Sequence, residues 1–383
     1  MLNKNIITKL LPLLLGFFVM GFCDIVGVGS DYVQRSFGWS DSMTGFVPSM
    51  VFIWFLFLAI PFGNLMNKIG RKNTVVISMV VTIVGMLLPL VIYDSTTCVI
   101  AFALLGIGNT ILQVSLNPLV SNVITDGRLL TSSLTAGQVV KALSSLLGPE
   151  FVILAVSQWG EDKWYLCFPM LGAITLITAV WLVATPIERE KSSGATLDLG
   201  ATFSLLKDNT ILLLFLGILF VVGLDVSVNF ISSKLMADRF EWTAEQQKWA
   251  PQTYFLCRTI GALLGSYLLS RVAGVKYFRW NIAACVGAVL VLMFVSHAMT
   301  DLVCIGAIGF LASSVFSIIY SEALQAQPTK ANEISGLMIT AISGGAIVTP
   351  VLGFAIENGG MTGGVGVILL CALYLAFCAF RLK

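Results

Sequence analysis

The chain has 383 residues, of which 57% are hydrophobic and only 11% are charged, and its formal net charge is +2. A soluble domain carries about 25% charged residues, so this composition excludes a soluble enzyme and a disordered protein, and the small net charge excludes a nucleic-acid binder. With one histidine and eight cysteines that form no Cys-x-x-Cys pair, we expect no metal and no cofactor, and we interpret the cysteines as small apolar side chains.

Twelve apolar stretches are long enough to cross a bilayer, which takes about 20 residues. They lie approximately at 10–34, 45–67, 74–93, 97–124, 130–157, 164–185, 209–236, 248–270, 279–298, 301–326, 333–356 and 363–381. The first stretch has no small-residue cleavage site after it, so we interpret it as a spanning helix rather than a removed signal peptide. The sequence therefore predicts an all-α membrane protein.

The longest polar stretch, Pro186–Asn209, separates six of these helices from the other six. An ordinary loop is the alternative, but its position at the midpoint favours a flexible linker between two bundles. We predict an N-terminal six-helix bundle over 1–185, a cytoplasmic linker over 186–208 and a C-terminal six-helix bundle over 209–383.

The distribution of basic residues predicts the orientation. Of the 22 Lys and Arg residues, fifteen fall in loops on one side, five fall on the other, and Lys141 and Arg258 lie inside spans. Because cytoplasmic loops carry the excess of basic residues, we expect both termini in the cytoplasm and the chain in a bacterial inner membrane.

The two halves carry similar motifs at one offset. Phe37-Gly38-Trp39 follows the first predicted helix, and Phe240-Glu241-Trp242 follows the seventh, 203 positions later. Other glycine motifs repeat at nearly the same offset. Parallel repeats of this kind, related by an axis along the membrane normal, build some secondary transporters.

The loop after predicted helix 2 reads Gly-Asn-Leu-Met-Asn-Lys-Ile-Gly-Arg-Lys over 63–72. It resembles the signature of the major facilitator superfamily, in which a glycine-led turn carries an acid and basic residues. Asn67 stands where the acid is usual. A degenerate copy runs from Gly265 to Lys276. A basic cytoplasmic turn is the alternative for either loop alone, but two at corresponding positions favour the resemblance.

Four further segments resemble the fucose–galactose–glucose:proton symporters, a narrower family. They are 112–118 in helix 4, 137–141 in helix 5, 223–228 in helix 7 and 335–347 in helix 11. The resemblance implies a major facilitator fold of two pseudo-symmetric bundles with a site between them near the bilayer midplane. It implies a secondary active transporter of a monosaccharide, coupled to protons by alternating access, and not an enzyme. A facilitator without proton coupling is an alternative.

Asp24 is a charged residue in the middle of predicted helix 1. A charge at bilayer depth costs about 2.5–3.5 kcal/mol on insertion scales, which makes such a residue a functional candidate. Asp24 matches the helix-1 acid of the symporter family, and the resemblance implies that it carries the coupling proton. A structural ion pair is the alternative.

Predicted helix 4 presents Asn109, Gln113 and Asn117 at i, i+4 and i+8, on one face. These amides either line a wet cavity or join neighbouring helices. Amide groups both donate and accept hydrogen bonds, which suits the hydroxyls of a sugar. Gln113 occupies the place of the family's second acid, so one candidate proton carrier is missing.

Predicted helix 5 carries Gln138 and Lys141 on one face. Gln138 matches a sugar-contacting glutamine of the family, whereas Lys141 replaces a neutral amide. Three interpretations stay open for Lys141: it pairs with Asp24, it receives the carboxylate of an acidic sugar or other organic anion, or its side chain reaches an interface.

In the second half, Asp225 and Asn229 share a face of helix 7, and Arg258 lies inside helix 8. Arg258 matches a helix-8 arginine of the family and is placed to pair with Asp225 or to lie near Glu322. A structural pair and a role in binding substrate or in coupling both stay open.

Two tyrosines, Tyr254 and Tyr320, are candidates for stacking against the apolar side of a sugar, or for packing alone. The chain contains no Gly-x-x-x-x-Gly-Lys-[Ser/Thr] phosphate loop, so we do not expect an ATP-driven pump. The expected partners are a small sugar, protons and the lipid bilayer, with no nucleic acid, and the chain is expected to act as a monomer.

Overall fold

A computed structural model of the protein describes residues 4–39, 51, 53–190, 199–247 and 249–382. Over these residues the chain forms helices and no strand. The start of the second predicted helix, at 45–50, and the centre of the predicted linker, at 191–198, lie outside the described residues.

Twelve long helical elements, α1 to α12, follow one another along the described chain and confirm the predicted all-α architecture. Their bounds are α1 (Lys4–Gly21, Phe22–Ile25 and Val26–Phe37), α2 (Trp54–Ile69), α3 (Arg71–Val91), α4 (Ser95–Val123), α5 (Gly127–Trp159), α6 (Glu161–Leu166 and Cys167–Ala184), α7 (Asn209–Phe240), α8 (Trp249–Leu269), α9 (Gly274–Phe294), α10 (Ala298–Ala312 and Val315–Ala326), α11 (Ala331–Thr340, Ala341–Ser343 and 344–359) and α12 (361–381). Gly360, at φ 62° and ψ −163°, separates the last two, in a backbone conformation that favours glycine.

Nine helices of the described chain are long and apolar enough, each taken alone, to cross a membrane. Of the remaining elements, the described part of α2 has 16 residues, and α8 includes Gln252 and Arg258. A 3₁₀ turn at Ala341–Ser343 interrupts α11. Polar residues and breaks inside a spanning segment are typical of sites with a function.

The helices pack into two compact units. Unit 1 comprises Met1–Thr125, Gly137–Phe203 and Gln327–Thr340, and unit 2 comprises Asp126–Ala136, Ser204–Ala326 and Ala341–Lys383. By contacts, therefore, the start of α5 groups with unit 2 and the first part of α11 groups with unit 1. The bundle and linker boundaries given above stay a prediction.

Aspartate side chains cap the starts of three of the long helices, α4, α5 and α7. The Asp94 Oδ1 atom accepts a hydrogen bond from the Thr97 N–H at 2.7 Å at the start of α4. Asp208 accepts from the Thr210 N–H at 2.8 Å at the start of α7. Such caps satisfy N–H groups that have no partner inside the helix. The bond from Thr97 also lowers the pKa of the Asp94 carboxyl below its usual value.

In unit 1, α1 and α5 cross in direct contact at Gly21. A Cβ atom at this position would lie 2.5 Å from the Lys141 carbonyl oxygen and 2.7 Å from the Ser144 Cβ. Only glycine permits this approach of the two backbones. The crossing places Asp24, three residues after Gly21, alongside α5.

The α2–α3 loop of unit 1 is bonded to the start of α11. The Asn67 Nδ2 donates to Glu333 Oε1 at 2.6 Å, and the Asn332 Nδ2 donates to Asn67 Oδ1 at 2.8 Å. The Arg71 Nε donates to Asn332 Oδ1 at 2.6 Å. All four side chains are buried. We call them the loop–α11 cluster. Its carboxylate comes from Glu333 of α11, whereas position 67 of the loop supplies a neutral amide.

A buried ion pair joins two helices of unit 2. The Arg239 guanidinium, at the end of α7, lies 2.8 Å from Asp301 Oδ2 in the first turn of α10. The Asp301 side chain is 0% exposed and that of Arg239 11%. Arg239 also donates to the Leu292 carbonyl oxygen at 2.8 Å. Hydrogen bonds of this kind compensate for removing two charges from water.

Candidate functional site

Asp24 lies in the 3₁₀ turn Phe22–Ile25 that interrupts α1. Its Oδ2 atom accepts a hydrogen bond from the Ser145 hydroxyl of α5 at 2.5 Å. The same hydroxyl lies 3.0 Å from the Lys141 carbonyl oxygen. The Asp24 side chain is exposed.

Ser145 was not among the residues predicted from the sequence. Serine is common in spanning helices, and its hydroxyl often bonds the carbonyl one turn earlier in the same helix. The available signal was its spacing, since Ser145 lies four residues after Lys141 and therefore on the same face of α5.

Lys141 forms no ion pair with Asp24. Among the described residues the ion pairs are Arg35–Glu161, Arg239–Asp301 and Arg258–Asp225. Lys141 is half-buried. Both Lys141 and Asp24 act electrostatically on the buried thiol of Cys23, so the two charges lie in one neighbourhood without direct contact. The direct pair, which was one of the three interpretations of Lys141, is absent from the described structure.

The amides of α4 are buried and largely without partners. Asn109 is 4% exposed, Gln113 6% and Asn117 1%. The Asn117 Nδ2 donates to the Gln113 carbonyl oxygen at 2.8 Å within the helix, while its Oδ1 has no partner in the described chain. Neither amide atom of Asn109 has a nitrogen or oxygen partner among the described residues, although the Cys23 thiol contacts it.

These contacts bear on the two interpretations of the α4 amides. If the amides joined helices, their side chains would bond nitrogen or oxygen atoms of neighbouring helices. Over the described residues Asn109 and Asn117 form no such bond. A buried polar group without a hydrogen-bond partner is costly in free energy. This arrangement therefore favours the interpretation in which the amides line a cavity and bind a ligand.

Unit 1 thus brings Asp24, Asn109 and Lys141 together around Cys23. Gln138 lies one turn before Lys141 on α5 and is half-buried. The arrangement offers one carboxylate, one ammonium and several amides, which is a chemistry for binding hydroxyl groups and for carrying charge.

Unit 2 holds a second polar group on α7 and α8. The Arg258 guanidinium lies 3.1 Å from Asp225 Oδ2, and the Tyr254 hydroxyl donates to Asp225 Oδ1 at 2.5 Å. Both carboxylate oxygens of Asp225 are therefore bonded to α8, and of the two partners considered for Arg258, Asp225 and Glu322, the structure places Arg258 against Asp225. Asn229 follows one turn after Asp225 and is exposed.

The rings of Tyr254 and Tyr320 are buried, whereas one expectation was that they stack against a sugar. Tyr254 is 1% exposed and Tyr320 is fully buried. Tyr320 stacks on Phe316 with ring centroids 5.9 Å apart, and Tyr254 meets Phe255 edge to face at 5.5 Å. Both rings are enclosed by unit 2, so the structure supports the packing alternative over stacking against a sugar. Neighbours from distant parts of the chain cover them.

Comparisons with known proteins agree with this architecture. The family model of the Major Facilitator Superfamily matches residues 13–350. A protein named glucose/galactose transporter from Brucella abortus is 25% identical, over 98% of this chain and 94% of its own. A protein named putative glucose/galactose transporter from Helicobacter pylori is 24% identical, over 95% of this chain and 94% of its own.

Solved structures show the same fold. The Escherichia coli fucose:proton symporter FucP superposes with a TM-score of 0.87 at 18% identity, over 99% of this chain and 100% of that one. The proton:xylose symporter XylE, bound to 6-bromo-6-deoxy-D-glucose, gives a TM-score of 0.73 at 12% identity, over 98% and 95% of the two chains. At these identities the likeness establishes the fold.

Proposed function

Because the chain belongs to the major facilitator superfamily, we propose that this multi-pass membrane transporter carries a monosaccharide together with a proton by alternating access. The observation that carries the proposal is that three buried amide atoms on α4, both of those of Asn109 and the Oδ1 of Asn117, have no nitrogen or oxygen hydrogen-bond partner among the described residues. Relatives named glucose/galactose transporter and putative glucose/galactose transporter support the choice of a sugar.

The amides are suited to a sugar because each sugar hydroxyl both donates and accepts a hydrogen bond. Asn109, Gln113, Asn117 and Gln138 are the proposed contacts in unit 1. A sugar hydroxyl that reaches Asn109 would form a hydrogen bond with its buried amide. Leaving such a buried polar group without a hydrogen bond costs about 1–3 kcal/mol of free energy. In unit 2, Asp225, Asn229 and Arg258 are the proposed polar contacts.

Asp24 is the proposed proton carrier. Its carboxylate is exposed, it lies in a spanning helix, and its described hydrogen bond comes from one hydroxyl, that of Ser145. A carboxylate held by a single neutral donor can gain and lose a proton without dismantling a salt bridge. Gain of the proton on one side of the membrane and loss on the other would link sugar movement to the proton gradient.

Uptake into proteoliposomes tests the proposal, with labelled glucose, galactose and fucose, each with and without an imposed pH gradient. Wild-type protein should accumulate at least one sugar uphill when the outside is acidic. Asp24→Asn should lose uphill accumulation but still exchange sugar down its gradient, because binding survives while the titrating group is gone. Asp162→Asn, in the 3₁₀ turn at the start of α6, is the control. Fully proton-coupled uptake by Asp24→Asn would remove Asp24 as the carrier.

We further propose that the protein works as a monomer in a bacterial inner membrane with both termini in the cytoplasm, as the excess of basic residues in one set of loops indicates. In a background without the eight native cysteines, Asp162→Cys should react with an impermeant maleimide in intact cells. Thr329→Cys, in the connection before α11, should react only in inside-out vesicles. The reverse pattern would overturn the orientation.

A further inference from the structure

We propose that the substrate is a monosaccharide that bears a carboxylate, of the uronic or aldonic acid class, and that the Lys141 ammonium receives this carboxylate. The inference rests on the proposed transport function and names the chemical class of its substrate.

Lys141 is a cation deep within a spanning helix. It lies fourteen residues after Gly127 and eighteen before Trp159, which corresponds to about 21 Å and about 27 Å along the helix axis. These distances exceed the reach of a lysine side chain, so its ammonium cannot extend to either end of α5. A cation at this depth is costly unless a counter-ion accompanies it.

The described residues do not supply that counter-ion. Asp24 is the nearby acid, yet it forms no ion pair with Lys141 and instead accepts a hydrogen bond from the Ser145 hydroxyl. The ammonium itself has no hydrogen-bond partner over the described chain. A lysine in this state retains its capacity to bind an anion.

Neutral groups beside the cation define the rest of the ligand. Cys23 lies within electrostatic range of Lys141 and contacts the Asn109 side chain, whose amide atoms lack nitrogen or oxygen partners in the described chain. A neutral sugar would satisfy the amides and leave Lys141 uncompensated. A simple organic anion would satisfy Lys141 and leave the amides unused. A carboxylate on a polyhydroxylated molecule satisfies both.

The charges predict how transport couples to protons. Among the described residues, the groups around Asp24 are the Cys23 thiol, the Ser145 hydroxyl, the Lys141 ammonium and the neutral amide of Asn109. Without substrate, Asp24 and Lys141 sum to zero. When a monoanion binds Lys141 and Asp24 takes one proton, the sum is again zero. One proton and one monoanion therefore cross together, and no net charge moves.

The experiment uses the full-length protein in proteoliposomes. The probes are D-glucuronate, D-galacturonate and D-gluconate, compared with D-glucose, D-galactose and L-fucose. A pH gradient and a valinomycin-set potential are imposed separately. We expect uptake of at least one acidic probe that is driven by the pH gradient and unchanged by the potential.

Variants of Lys141 test whether this residue binds the carboxylate of the substrate. Lys141→Asn should weaken competition by the acidic probe by about tenfold or more, the scale of a lost charged hydrogen bond, and Lys141→Arg should preserve most of it. Lys276→Asn, an exposed lysine at the start of α9, is the control and should behave as wild type. If Lys141→Asn does not fold, Lys141→Gln and the wild-type competition data decide the question.

Two outcomes separate the inference from the function on which it rests. If neutral sugars are transported while no acidic probe is transported or competes, the substrate class is wrong and sugar transport stands. If no probe of either kind is transported, the proposed function fails and the inference fails with it. Equal acidic-probe affinity in wild type and a folded Lys141→Asn would remove Lys141 from the site.

Discussion

The Ser145 hydroxyl donates a hydrogen bond to the Asp24 carboxylate over 2.5 Å. This bond joins α5 to the 3₁₀ turn that interrupts α1. The turn lies just beyond Gly21, where the two helix backbones are in contact. Since Lys141 lies one turn before Ser145 and forms no ion pair with Asp24, the carboxylate in unit 1 is held by a neutral donor.

Ser145→Ala removes this donor. Because this hydroxyl is the described donor to the Asp24 carboxylate, its loss should lower pH-driven uptake across the external pH range by about tenfold, the scale of a lost hydrogen bond to a charged group. Uptake measured across a series of external pH values checks this. Ser157→Ala is the matched control, since Ser157 lies on the same helix and its hydroxyl bonds only the Leu154 carbonyl oxygen. An unchanged pH profile for Ser145→Ala would show that the contact does not tune coupling.

Asn109→Leu should raise stability and lower substrate affinity together. The buried amide has no nitrogen or oxygen partner among the described residues, so an apolar side chain of similar size should gain about 1–3 kcal/mol in unfolding free energy. Loss of a substrate contact should weaken binding by about tenfold. Thermal unfolding in detergent and competition uptake measure the two effects.

The control for this variant is Asn281→Leu in α9. The Asn281 Nδ2 is likewise buried without a partner among the described residues, but it lies outside the proposed site. Its replacement should raise stability and leave affinity unchanged. Unaltered affinity in Asn109→Leu itself would exclude Asn109 from substrate contact.

Asn67→Asp should destabilise the protein, although it introduces the acid that is usual in the superfamily loop. In the loop–α11 cluster the Asn67 amide donates to Glu333 Oε1 at 2.6 Å, and an aspartate would place two buried carboxylates against each other. We expect a loss of about 1–3 kcal/mol, seen as a lower unfolding temperature. Adding Glu333→Gln should restore a donor and recover stability. If the single and double variants melt alike, the cluster does not couple these positions.

The two ion pairs Arg239–Asp301 and Arg35–Glu161 should differ strongly in their effect on stability. Asp301→Ala leaves the Arg239 guanidinium buried without its carboxylate and should cost about 3–5 kcal/mol. Glu161→Ala breaks a pair whose side chains are 69% and 64% exposed and should cost no more than about 1 kcal/mol. Thermal unfolding of the two variants under one condition makes the comparison. Similar losses would show that burial does not govern these pairs.

The helical architecture could be predicted from the sequence because its cause is local. A spanning helix needs about 20 apolar residues in succession, and such runs are visible without knowledge of any contact. Charged residues inside the runs, such as Asp24, Lys141 and Arg258, are visible for the same reason. For Arg258 the sequence left two acidic partners open, Asp225 and Glu322, and the structure shows the pair with Asp225.

Other features depended on which helix faces meet. Ser145 and Asp24 are 121 positions apart, and Asn67 and Glu333 are 266 apart, so neither contact is encoded in a local pattern. The sequence of its own helix likewise did not decide whether the Tyr320 ring is exposed or buried. Direct pairing of Lys141 with Asp24 was plausible from depth alone, yet the crossing at Gly21 sets Ser145 against the carboxylate instead. Helix packing over a whole unit fixes these distances, because each side chain meets whatever neighbour the backbone approach allows.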